Sequence, residues 1–202
     1  YVPFLVDCYE QWDCDRVVHI GDLVDNAALS YHLKDPTLKN PIDEYNKAYE
    51  QVQTICEAFP EVDWLIGNHD DLPKRWLKEV GIPADFLKSY ADIWEVPYGW
   101  TVHERYTKLK IDGVIYQHGD RGKGGRMAAT ANAKDEFTSV VQGHLHAQSG
   151  IEFYCNDSHR VFGMQVGCGV DDTHAAMDYG KKYNQRGVIS CGIVLDGTTP
   201  VV

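Results

Sequence analysis

Four short apolar runs of this 202-residue chain each end at a turn that combines glycine with aspartate, asparagine or histidine. In chain order the turns are Gly21-Asp22-Leu23-Val24-Asp25, Gly67-Asn68-His69-Asp70, His118-Gly119-Asp120 and Gly143-His144-Leu145-His146. Short apolar runs bounded by such turns are typical of buried strands. Open α/β sheets carry their sites just beyond the carboxyl ends of their strands. The pattern therefore predicts an α/β fold in which these polar side chains converge.

Helical patterns separate the strand-like runs. Apolar residues recur at helical spacing over 3–12, and Asn40 with Pro41 supplies an N-cap and a first-turn proline for a long amphipathic helix. A glycine-rich loop precedes a run of helix formers over 126–136. Later strand-like runs cover 150–155, 160–166 and 187–196, and a helical piece that contains His174 is predicted near 172–182. Helices that alternate with strands favour the α/β class.

Composition narrows the class of protein. Nineteen Lys and Arg residues against 30 Asp and Glu residues leave a formal charge of −11, which disfavours a generic basic face for nucleic acid or membrane. The length favours a single domain over 1–202. Six scattered cysteines without a Cys-x-x-Cys pair, and the lack of a long apolar stretch or signal peptide, predict a soluble protein of the cytoplasm with reduced thiols.

The residue types at the four turns are those that bind a divalent metal. Carboxylate, amide carbonyl and imidazole groups suit a hard to borderline cation, and glycine lets the backbone turn sharply enough to bring them together. Asp, Asn and Gly also favour turns for purely structural reasons. Histidine has no such preference, and four coincident turns favour a metal site over helix caps.

The order GDLVD (21–25), GNHD (67–70), HGD (118–120) and GHLH (143–146) resembles the calcineurin-like metallophosphoesterase family over most of the chain. The resemblance implies two packed β-sheets flanked by helices, with two divalent metal ions at the strand ends. Manganese is the expected metal, with iron, zinc, cobalt and nickel as alternatives. A hydroxide that bridges the two ions would attack phosphorus in line with the leaving oxygen.

Residue roles follow from the same resemblance. Asp22 would bridge both metals, and His146 would belong to the second metal site. His69 would be the general acid, and Asp25 would orient it. The remaining ligands of the first metal site would be Asn68, His118 and His144.

One family motif is missing from the sequence. The Asp-x-His pair at the end of the first strand does not precede Asp22, and Asp7-Cys8-Tyr9 lies inside the first predicted helix. Because the chain begins at Tyr1 rather than Met, we expect the motif and its strand to lie upstream of Tyr1. Loss of the motif in the natural protein is the alternative.

Three residues are candidates for substrate binding. Asn26 stands where the Ser/Thr phosphatases of the superfamily carry an arginine, which favours the phosphodiesterase and nuclease-like branches found in bacteria and phages. Arg121 and Lys123 lie in the glycine-rich loop, where they would hold a phosphate or belong to a solvated turn. The aromatic run from Trp76 to Trp100 would stack a nucleobase, but packing is the favoured interpretation.

Two classes of function remain at the level of the sequence. The first is a metallophosphoesterase acting on a small phosphodiester or phosphomonoester, nucleotide-derived compounds included, with nucleic acid only as a substrate and no membrane partner. Such an enzyme would act in the cytoplasm, or in the host cytoplasm if a phage encodes it. The second class is a non-catalytic scaffold on the same fold. Retention of His69 beside Asn68 favours the enzyme, because a scaffold has no use for a general acid.

Overall fold

A computed structural model describes residues 1–31, 40–170 and 186–202. These residues divide into two compact units, the first within Tyr1–Arg105 and the second formed by 106–170 with 186–202. Each unit has its own β-sheet and its own buried apolar residues. Among the described helices, none combines the length and the apolar character that crossing a membrane requires. The predicted helical piece at 172–182, with His174, lies outside the described residues.

Two helices open the first unit, and both agree with the sequence pattern. Helix α1 covers Val2–Gln11 and helix α2 covers Pro41–Ala58. The Asn40 side-chain oxygen accepts a hydrogen bond of 3.0 Å from the Ile42 N–H, as expected for an N-cap, and Pro41 occupies the first turn. The predicted start of α2 is confirmed.

The sheet of the first unit has three parallel strands. They are β1 (Val18–His19), β2 (Val62–Leu65) and β3 (Trp100–His103), in the order β1-β2-β3. The central strand places Val62, Trp64 and Leu65 among buried neighbours, which is typical of a parallel strand covered on both faces. The loops that follow β1 and β2 therefore leave the same edge of this sheet.

Short helices connect β2 to β3. Helix α3 covers Leu72–Glu79 and helix α4 covers Tyr90–Trp94, with 3-10 turns at Ala84–Phe86 and, earlier in the chain, at Ala27–Leu29. Three aromatic side chains of this stretch lie in the apolar core, namely Tyr90, Trp94 and Trp100, whereas Phe86 and Tyr98 are exposed. For the three core residues the packing interpretation is confirmed.

The second unit contains a five-stranded sheet of order β4-β5-β6-β8-β7. The strands are β4 (Leu109–Ile111), β5 (Val114–Gln117), β6 (Val140–Gln142), β7 (Gly150–Cys155) and β8 (Arg160–Gln165). The three inner strands run parallel, and the two edge strands pair antiparallel to their neighbours. Helix α5 (Ala128–Glu136) packs on β6 and β8. The loops that carry His118 and His144 follow the carboxyl ends of adjacent strands.

The end of the chain differs from the predicted strand over 187–196. Only Ile193–Leu195 forms a strand, β9, which pairs with β10 (Thr199–Val201) in a hairpin. Before β9 a single bridge joins Ile189 to Cys168, and the Val188 N–H donates to the carbonyl of His146. The described residues around Val188 form no strand because the Val188 backbone N–H bonds to the loop that carries His146 and not to a neighbouring strand.

The α/β class is confirmed, with β-sheets flanked by five described α-helices. Parallel pairing explains why motifs that are distant in sequence lie close together within each unit. Carboxyl ends of parallel strands meet at one edge of their sheet, so the polar turns of each unit lie together. Sequence periodicity predicts the inner strands, and the pairing of these strands places the motifs.

Close packing of α5 on β8 gives the first prediction. A Cβ at Gly163 of β8 would overlap backbone atoms of Ala129 and Thr130 in α5. We expect Gly163→Ala to lower the free energy of unfolding by about 1–3 kcal/mol, since backbone atoms cannot move aside as a side chain can. Urea denaturation measures the change. Gly124→Ala is the matched control because a Cβ there meets no atom within 4 Å; equal effects of the two substitutions would contradict the packing argument.

Candidate metal and phosphoester site

The buried carboxylate of Asp70 joins the first two motif turns in the first unit. Its Oδ2 accepts hydrogen bonds of 2.8 Å from the N–H groups of Asp22 and Gly67, and its Oδ1 accepts one of 3.2 Å from Val24. Asp70 is only 2% exposed. A buried carboxylate needs such partners, and here they are the backbone of the two loops. Asp70 therefore acts as a structural clamp, a role that the sequence analysis missed.

Asp22 lies against the GNHD turn. Its backbone has a φ of 54°, in the left-handed region, and its Oδ1 accepts a hydrogen bond of 2.8 Å from the His69 N–H. A Cβ on Gly67 would overlap the Asp22 carboxylate and backbone nitrogen. Glycine at position 67 is thus required for the two turns to approach each other, and the approach brings Asp22 beside His69.

The predicted partnership of His69 with Asp25 is present as a contact. The Nδ1 atom of His69 lies 2.8 Å from a carboxylate oxygen of Asp25 and 2.8 Å from the Asp25 carbonyl oxygen. Both neighbours are hydrogen-bond acceptors, so Nδ1 carries a proton and donates. The ring is thereby held in one orientation with Nε2 as its second titrating nitrogen. The other carboxylate oxygen of Asp25 is buried and has no hydrogen-bond partner among the described residues.

The surroundings of His69 favour its protonated form. Burial by itself lowers the pKa of the imidazole, but the hydrogen bond to Asp25 and the negative charges of Asp22 and Asp25 outweigh it. Together they raise the pKa of His69 from 6.5 to about 9. In the metal-free protein the ring is therefore a cation at neutral pH.

Two further side chains hold the loop that carries Asp25. The amide nitrogen of Asn26 donates a hydrogen bond of 2.9 Å to the His69 carbonyl, and Asn26 has a φ of 50°. Glu44, from α2, accepts hydrogen bonds from the N–H groups of Ala27 and Ala28. Asn26 was predicted as a substrate residue, and in the structure its amide bonds to the loop that carries His69. Nothing in the local sequence indicates the role of Glu44, because its partners come from another part of the chain.

The second unit brings two of the predicted metal ligands together. His118 follows β5 and is 4% exposed, and His144 follows β6 with a φ of 68°. Their ring centroids lie 5.1 Å apart with an interplanar angle of 70°, and their ligand nitrogens lie within 4.8 Å of each other. His146 is half-buried two residues farther along. The pair has the separation of two imidazoles that could share one metal ion.

The basic loop between β5 and α5 is exposed. Arg121 and Lys123 are both on the surface, and the Lys123 ammonium lies 3.7 Å from the Asp135 carboxylate. An exposed pair of this kind is worth little because solvent screens it. Both cations therefore remain accessible to an anionic ligand.

The donor types fit a borderline divalent metal. Within the second unit the candidate donors are the imidazoles of His118, His144 and His146, and within the first unit they are the carboxylate of Asp22 and the amide of Asn68. Nitrogen and oxygen donors without thiolate suit manganese, iron, zinc or cobalt. The closely spaced pair of His118 and His144 is the feature that fits such an ion best.

The clamp at Asp70 generates a stability prediction. Asp70→Asn replaces an acceptor by an N–H donor that faces backbone donors. We expect a loss of at least about 2 kcal/mol in unfolding free energy, because hydrogen bonds to a charged acceptor contribute about 1.5–3 kcal/mol each. Urea denaturation is the measurement. Asp85→Asn, at an exposed position, is the control; a loss no larger than that of Asp85→Asn would show that Asp70 is not a clamp.

The raised pKa of His69 gives a pH prediction for the metal-free protein. The ion pair with Asp25 stabilises the fold fully below pH 6.5, and the contribution is lost as the pH rises through about 9. Asp25→Asn should lower the His69 pKa, observed by NMR titration of the ring protons. It should also destabilise the protein more at pH 6 than at pH 10. A stability difference that does not change with pH, as expected for Asp85→Asn, would contradict the ion pair.

No family model matches this chain, and no curated protein matches it.

Proposed function

We propose that this chain is a metal-dependent phosphoester hydrolase of the calcineurin-like kind. The observation that carries the proposal is the His69–Asp25 pair, in which Nδ1 is held by two acceptors at 2.8 Å. This arrangement fixes the tautomer of an imidazole at the position where the motif order expects a general acid. A protein that only binds a partner has no need for it.

The metal ligands of the proposal are assigned from the order of the motifs along the chain. Asn68, His118 and His144 would hold one ion together with Asp22, which would also contact a second ion beside His146. Two divalent ions, manganese first and iron, zinc, cobalt or nickel as alternatives, would supply positive charge to the phosphoryl oxygens and lower the pKa of water. The close pairing of His118 and His144 supports this assignment for the first ion.

The chain's own side chains would carry the remaining steps. The imidazole of His69 donates its proton to the departing ester oxygen, and the Asp25 carboxylate keeps the ring in place. Asp70 keeps the Asp22 and Asn68 loops in register. The exposed cations of Arg121 and Lys123 attract the negatively charged ester.

The formal net charge of the chain favours a small substrate. A formal charge of −11 disfavours a long polyanion held by a broad basic face, so a small phosphodiester or phosphomonoester is favoured, nucleotide-derived esters included. Nucleic acid enters only as a substrate. We place the protein in the cytoplasm, since Cys8, Cys14, Cys56 and Cys155 are free thiols.

The test is hydrolysis of an ester series graded in leaving-group acidity, with added manganese. We expect activity on an aryl ester that chelation abolishes. His69→Ala should reduce kcat for alkyl leaving groups by roughly 10²–10⁴-fold, the usual contribution of a general acid. The loss should be much smaller for nitrophenyl leaving groups, which depart readily as anions.

His159→Ala is the matched control, because His159 is exposed on the β7–β8 hairpin. It should leave every rate unchanged. Activity that survives exhaustive chelation would overturn the metal mechanism, and a His69→Ala loss independent of the leaving group would overturn the general-acid role. Metal binding without hydrolysis of any ester would favour a scaffold.

A further inference from the structure

A row of buried amide side chains crosses the sheet of the second unit. Gln117, Gln142 and Gln165 are the last residues of β5, β6 and β8, and they pair in register across these parallel strands. Asn132 joins them from α5. The four side chains, called the amide ladder, are 7%, 0%, 6% and 5% exposed in that order. Burying amides costs free energy unless they are hydrogen-bonded, so each member of the amide ladder requires a buried hydrogen-bond partner.

Hydrogen bonds satisfy the centre of the amide ladder. Oε1 of Gln142 accepts bonds from Gln117 Nε2 at 3.0 Å and from Asn132 Nδ2 at 2.8 Å. Nε2 of Gln142 donates to Gln165 Oε1 at 3.2 Å. Each amide is therefore held in one orientation, and a satisfied polar network in a low-dielectric interior is rigid.

Gln165, at one end of the amide ladder, holds the backbone of Gly143, which precedes His144 and bonds to His118. Nε2 of Gln165 donates a hydrogen bond of 2.6 Å to the carbonyl of Gly143. The Gly143 N–H donates to the carbonyl of His118 at 3.0 Å, and the Gly143 carbonyl belongs to the peptide bond that leads to His144. His144 has the strained φ of 68°, which the surroundings must maintain. Gln165 thus acts on the backbone from which both imidazoles project.

Asn132, which bonds to the central Gln142 of the amide ladder, holds the basic loop. Oδ1 of Asn132 accepts a hydrogen bond of 2.8 Å from the Lys123 N–H, while its Nδ2 bonds to Gln142. The side chains of Lys123 and Arg121 are exposed, so Asn132 is a buried anchor of an otherwise surface loop. The amide of Asn132 therefore connects the loop to the rest of the amide ladder.

We infer that the amide ladder positions the candidate ligands of the second unit. Gln165 holds His118 and His144 in a metal-binding arrangement, and Asn132 holds the backbone of the Arg121–Lys123 loop so that it can bind an anionic phosphoester. The identity of the ligands rests on the proposed function. Removing partners that orient metal ligands typically reduces metal affinity or activity by about 10–100-fold.

Gln165 and Asn132 of the amide ladder generate separable predictions. Gln165→Met keeps an unbranched side chain but removes the amide, and we expect it to weaken cobalt(II) binding by about 10–100-fold. Titration of the cobalt absorption bands measures the affinity. Asn132→Ala should leave cobalt affinity within about threefold and kcat nearly unchanged. It should raise KM for the phosphoester by about tenfold, at the lower end of such effects.

Thr130→Val is the matched control. Thr130 is buried on α5, two residues before Asn132, and its hydroxyl bonds to Glu152 outside the amide ladder. It should change neither cobalt affinity nor KM. In the metal-free protein, amide hydrogen exchange at Lys123 should become faster in Asn132→Ala and stay unchanged in Thr130→Val. Gln165→Leu, which also removes the amide without adding a charge, replaces Gln165→Met if the latter does not fold.

The outcomes distinguish this inference from the proposed function. Wild-type protein that neither binds cobalt nor hydrolyses an ester overturns the proposed function, whereas the exchange rate at Lys123 still tests the loop anchor. Unchanged cobalt affinity in the Gln165 variants overturns the role of Gln165. Unchanged exchange at Lys123 and unchanged KM in Asn132→Ala overturn the role of Asn132.

Discussion

The candidate site of the first unit depends on the hydrogen bonds that the buried Asp70 carboxylate accepts. A buried negative charge is tolerated only when donors surround it, and the donors here are three backbone N–H groups from two separate loops. Satisfying one carboxylate therefore requires the loops after β1 and β2 to adopt a single arrangement. Asp22 and His69, which lie on those loops, take their places as a consequence.

In the second unit, neutral amide side chains instead of a carboxylate hold the loops of the candidate site in place. The glutamines of the amide ladder bond to one another across three parallel strands. Gln165 bonds to the backbone before His144, and Asn132 bonds to the backbone of Lys123. A neutral network adds no charge beside imidazoles that would hold a cation. In the first unit the Asp70 carboxylate does add a negative charge, which lies against the backbone N–H of Asp22 in its left-handed turn.

These two devices clarify why residues of one type have different roles. Asp22, Asp25 and Asp70 all lie in motif turns, yet Asp70 faces backbone donors while Asp25 faces an imidazole. Asn26 lies beside Asp25 in sequence and bonds to the loop of His69. The chemistry proposed for the site thus depends on a small number of buried partners, most of which never contact the reacting atoms.

The sequence by itself determined the elements and the order of the motifs. Apolar runs, the Asn40-Pro41 cap and the glycine turns are local signals, and they placed the helices and the inner strands within a few residues. The contact of His69 with Asp25 was also predicted, although only through resemblance of the motifs. The tertiary structure alone decided the clamp at Asp70, the loop contact of Glu44 and the amide ladder. Their partners lie far apart in sequence, as Asp70 and Asp22 do at 48 positions, and no local pattern specifies which buried polar groups will meet when strands pair.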